Sequence, residues 1–108
     1  MIAVIGSSKY QKELSEALIG MNVIFENYGD LTKVGLEMCI KKVRNMEEID
    51  LLILDSTVTG HVDEMLTAVK NYRLVREDER IIMLIPEDMS LAESFAEYQV
   101  YDFVLLSN

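Results

Sequence analysis

Three short runs in this chain, Ile2–Ile5 (IAVI), Leu51–Leu54 (LLIL) and Ile81–Ile85 (IIMLI), are apolar at every position rather than at alternate ones. A strand with one wet face alternates apolar and polar residues, so a run apolar throughout suits a strand covered on both sides. Two weaker runs, Asn22–Glu26 and Phe103–Leu106, read as further strands. Segments of helical period fill the gaps between the five. Strict alternation of strand and helix predicts one parallel sheet with right-handed crossovers and helices on both faces. At 108 residues, half of them hydrophobic, the chain suits a single domain around a single core.

The first helix is expected to start at Ser8, where Ser8-Lys-Tyr-Gln11 has the capping-box pattern, and to carry Leu14, Ala17, Leu18 and Met21 on one stripe. The third, near Val62 to Leu74, places Val62, Met65, Leu66 and Val69 on one side. The fourth opens on a second capping box, Ser90-Leu-Ala-Glu93, and presents Leu91, Phe95 and Tyr98. The second helix, near Leu31 to Met46, differs from these. Leu36, Ile40 and Val43 make one stripe, while Val34 and Met38 fall roughly opposite at 100° per residue. A helix apolar on two sides calls for two partners: the sheet, and then a neighbouring helix, a subunit or solvent.

Charge narrows the functional classes. The net charge of −9 and the pI near 4.5 argue against a surface that neutralises phosphates, which needs clustered Lys and Arg. Lys41, Lys42 and Arg44 form the one basic cluster and read as a solvated helix face. A single cysteine, Cys39, excludes an internal disulfide and a cysteine-based metal site, and suits a reducing compartment such as the cytoplasm. The apolar runs stop well short of the roughly 20 residues that span a bilayer. No basic region precedes the apolar start, so a signal peptide is not expected.

In doubly wound sheets, ligands gather at the carboxyl ends of the strands, and Asp55 stands at such an end in DLLILDSTVTG. The first strand is followed by Gly6-Ser7-Ser8 and a helix start, which can present amides to a phosphate or nucleotide. Neither GxGxxG nor GxxxxGK[ST] accompanies it, and helix capping by Ser8 is the plainer reading. A Ser-His-Asp set can be drawn from Ser7 or Ser56 with His61 and Asp55, but no GxSxG surrounds it. His61 then reads as a loop histidine, and Asp63, Glu64 and the run 76–80 (REDER) as solvated charges at helix ends.

Taken together, DLLILDSTVTG, ERIIMLIPED and VYDFVLLSN resemble the third, fourth and fifth strands of the response-regulator receiver domain, in order and along the whole chain. The resemblance implies a CheY-like, flavodoxin-like α/β fold with strand order 2-1-3-4-5, here without a final helix. It also implies that Asp55 occupies the phosphoacceptor position. The family's acidic pair, which holds Mg²⁺ with the acceptor, corresponds to Gly6 and Ser7. Its switch hydroxyl corresponds to Ile85, its switch aromatic to Phe103, and its lysine to Leu106, or to Ser107 without a gap.

Phosphoryl transfer rests on positioning and charge stabilisation, so losing the metal carboxylates and the cation together removes most of the rate. Asp55 is therefore expected to be a vestigial acceptor kept for structure, hydrogen-bonding the amides of the following loop or of the helix after it. A chain ending at Asn108 would leave half of one sheet face undercovered, as at the front of a longer protein or in a dimer. Degenerate receivers at the front of the ATPases of the TadZ and CpaE type resemble this arrangement. The expectation is a non-catalytic association module without metal or cofactor, homodimeric or joined to a following domain. Val34, Met38, Phe103 and Leu105 are its candidate contacts. The alternatives are a phosphate- or nucleotide-binding domain using Gly6, Ser7, Ser8 and Asp55, and a receiver that is still phosphorylated on Asp55.

Overall fold

The computed structural model describes residues 1–87 and 89–106. Its elements run β1 (Ile2–Gly6), a 3-10 turn (Ser8–Tyr10), α1 (Gln11–Ala17), β2 (Val23–Tyr28), α2 (Lys33–Arg44), β3 (Leu51–Asp55), α3 (Val62–Arg73), β4 (Arg80–Pro86), α4 (Met89–Ala96) and β5 (Asp102–Leu106). All pairings are parallel and the strand order is β2-β1-β3-β4-β5, a flavodoxin-like α/β arrangement as expected. The three runs that are apolar at every position become the three inner strands, and the two weaker runs become the edges.

The pleat divides the side chains between two layers. On β4, Ile81, Met83 and Ile85 face the main core, which Leu36 and Ile40 of α2, Val69 and Tyr72 of α3 and Phe95 of α4 complete. Ile82 and Leu84 turn the other way. There, Ile2, Val4 and Ile53 form a smaller core under Leu14 and Leu18 of α1. Three helices thus cover one face and a single short helix covers the other.

Helix ends depart from the sequence reading in three places. The expected capping box at Ser8 does not form: Ser8 starts the 3-10 turn, Ser7 takes the position before it without a side-chain cap, and α1 stops at Ala17. Ala17 and Met21, placed on the apolar stripe by periodicity, are exposed. At α4, the helix begins at Met89, which puts Ser90 inside the first turn. On α2, Thr32 supplies the cap instead, its Oγ1 accepting from the Gly35 amide at 3.1 Å. Val62 is exposed at the start of α3, whose buried stripe runs Met65, Ala68, Val69 and Tyr72. Among the described residues no helix is long and apolar enough to cross a membrane.

Candidate functional site

β1 and β3 are neighbours, with Ile5 opposite Leu54, so the loops that leave them start side by side. Asp55, the last residue of β3, is completely buried there. Its Oδ2 accepts from the Ser7 hydroxyl at 2.6 Å and the Ser7 amide at 3.2 Å. Its Oδ1 accepts from the Thr57 hydroxyl at 2.6 Å and the Thr57 amide at 2.8 Å. Both hydroxyl contacts have the length of a charge-assisted O–H to carboxylate bond. Burying a carboxylate costs several kcal/mol, and four such bonds at about 1.5–3 kcal/mol each are on the scale needed to offset it.

The two halves of this arrangement have different origins. The Thr57 half is local, an Asx-turn in which an aspartate accepts the amide two residues on. The Ser7 half is tertiary: Ser7 stands just before the 3-10 turn, and its hydroxyl bonds Asp55 instead of capping that turn. Gly6 has its own reason. A Cβ at this position would stand 3.1 Å from Leu14 Cδ1 and 3.2 Å from Tyr28 Cδ1, so α1 and β2 close over the place where a longer side chain would go. Among the described residues no group of three or more His, Cys, Asp and Glu side chains could hold a metal ion.

The other residues singled out by sequence scatter. Ile85 is wholly buried in the main core, and Phe103 packs half-buried against that core beside Met83. Leu106 lies half-buried on the α1 face, and Ser107 lies outside the described residues. None of them brings a charge to Asp55, whose hydrogen bonds come from Ser7 and Thr57. His61 is exposed at the start of α3 and meets Thr59 through its backbone, so the Ser-His-Asp set is not assembled. Ser8 is exposed. Ser56 is buried, its amide donating to the Leu84 carbonyl at 2.9 Å while its hydroxyl has no partner among the described residues.

Val34 and Met38 are 62% and 67% exposed on α2, as their position opposite the buried stripe implies. Leu105 is half exposed at the β5 edge, opposite Ile85 of β4, and Phe103 is half-buried against the main core. Lys41 and Lys42 are exposed, with Lys42 Nζ 5.6 Å from the Phe25 ring, while Arg44 is half-buried and donates to the Asn71 carbonyl. Burial pushes the Cys39 thiol up, away from the reactive thiolate.

The undercovered half of one sheet face, expected from the sequence, is an apolar groove of about 410 Å³ beside α1, over β4 and β5. One feature escaped the sequence reading and corrects the run at 76–80. Arg76 and Glu79 are largely buried rather than solvated, and they pair with each other. The Arg76 guanidinium also donates to the carbonyls of Met46 at 2.8 Å, Arg44 at 3.3 Å and Ile49, and Glu79 accepts the Tyr72 hydroxyl at 3.2 Å. Charge runs of this kind carry no local mark that tells a buried lock from a wet surface. No protein-family model, curated protein or solved structure matches this chain.

Proposed function

We propose that this domain is a receiver-like module that takes no phosphoryl group and works by associating with protein. The observation that carries the reading is the state of Asp55: buried on all sides, with each carboxylate oxygen already accepting an amide and a hydroxyl. An acceptor carboxylate needs an oxygen free to attack in line and a metal to gather charge. Here Ser7 and Thr57 hold both oxygens, and Leu14 and Tyr28 close the space at Gly6. The same contacts engage the hydroxyl and amide of Ser7 that a phosphate ligand in the first loop would need. The exposed Val34 and Met38 support an association role, with a second copy or a following domain as partner. A lone, unpaired Cys39 suits work in the cytoplasm.

Intact-mass spectrometry after incubation with acetyl phosphate and Mg²⁺ tests this, beside an Asp55→Asn control. The expected result is no added phosphate on either protein. A phosphate present on the parent chain and lost in the control would restore a working receiver and overturn the reading.

A further inference from the structure

Strands about 4.8 Å apart make a five-stranded sheet roughly 19 Å wide, and a helix with its side chains is about 10–12 Å across. One helix with its side chains therefore covers roughly half the width of such a face. On the minor face, α1 fills the half above β1 and β3, where Leu14 and Leu18 meet Ile2, Val4 and Ile53. The other half is the apolar groove. Its floor is Ile82, Leu84, Val104 and Leu106, and its wall is Glu13 and Ala17 of α1. The helical wheel agrees: with Leu14 and Leu18 on the smaller core, Glu13 and Ala17 fall together on one flank, and both line the groove.

We infer that this groove receives one amphipathic helix of a protein partner, apolar toward the sheet and bearing a Lys or Arg opposite Glu13. The inference deepens the association reading above by naming the chemistry of the partner. Width sets the occupant's shape, since the uncovered half of the face accommodates one helix. Ala17 lets a neighbouring helix approach α1 closely. Charge sets its sign. Glu13 is the one ionisable carboxylate in the lining, it has no ion pair among the described residues, and the chain as a whole carries −9. In this groove, as distinct from the Val34 and Met38 face, a second copy would bring another −9, which like-charge repulsion disfavours.

The test uses the full chain and fluorescent peptides of about 18 residues, long enough to hold a helix. Three peptides carry a Leu stripe with Lys along one flank in different registers, and three matched peptides carry Glu instead. One-to-one saturable binding is expected for a Lys peptide, about tenfold tighter than for its Glu counterpart. Glu13→Lys should reverse that preference, and Val104→Asp should abolish binding while circular dichroism shows the fold kept. Five results would each overturn the inference: no saturable binding, equal binding of the two charge forms, binding that survives Val104→Asp, a bound peptide with a strand rather than a helix spectrum, or a dimer in sedimentation that Val104→Asp dissolves. All of these are independent of the phosphorylation result, so either reading can fail without the other.

Discussion

Asp55 accepts four hydrogen bonds, two from backbone amides and two from hydroxyls, so substitutions there separate charge from shape. In Asp55→Asn one oxygen becomes an NH₂ group that faces an amide donor. A hydroxyl can rotate to accept from it; the amide cannot. The variant should lose about 1–3 kcal/mol, the cost of one unsatisfied buried donor. Asp55→Ala strands two amides and should lose more, about 2–4 kcal/mol. Urea midpoints at neutral pH measure both losses, and a change within error for either would mean that Asp55 is not the tie between the β1 and β3 loops. Half of this site was legible beforehand, because an aspartate at a strand end was expected to accept amides of the loop or helix that follows, and the Thr57 amide is one. Ser7 was not, since it comes 48 residues earlier in the chain and only strand pairing brings it to Asp55. The glycine at position 6 was noticed as the loss of a carboxylate, whereas its physical cause is the closeness of Leu14 and Tyr28.

Among the elements, α2 and α3 bury most of the stripe that their periodicity marks, while α1 is shorter than expected, its first turn being a 3-10 turn and Ala17 and Met21 exposed. The connections between elements were least legible. Arg76 ties the loop after α2 to the loop after α3 by donating to three carbonyls, and Glu79 and Tyr72 complete the lock. Burial pushes the Tyr72 phenol well above the usual tyrosine range, and the Glu79 carboxylate adds to the shift. An unfolded tyrosine loses its proton near pH 10, and the folded one holds it to higher pH. The folded state therefore binds the proton more tightly. Its contribution is fully present below about pH 10 and is lost as pH rises toward the folded value. Urea midpoints measured upward from pH 9 should fall in the parent chain and fall less steeply in Tyr72→Phe. Parallel curves would show that other groups govern the alkaline loss.

For the whole molecule, the alternation of strands and helices was enough to place every strand, because three runs apolar at each position have to sit inside a sheet covered on both faces. The unequal cover of those faces was expected too, since four helices shared between two faces leave α1 alone on one of them. That inequality also sets where the molecule opens. β2 and β5 are both edge strands, yet β2 packs Ile24, Phe25, Val23 and Tyr28 against the two cores, while β5 packs Phe103 and Leu106 and leaves Val104 and Leu105 half exposed. Free energies of local opening track the apolar contacts that must be given up. Amides of β5 should therefore exchange with deuterium faster than those of β2, and protection in β4 should fall between β5 and the nearly invisible exchange of β3. A fold of this kind has a soft side and a hard side. Anything that settles beside α1 would be felt first as a slowing of the soft one.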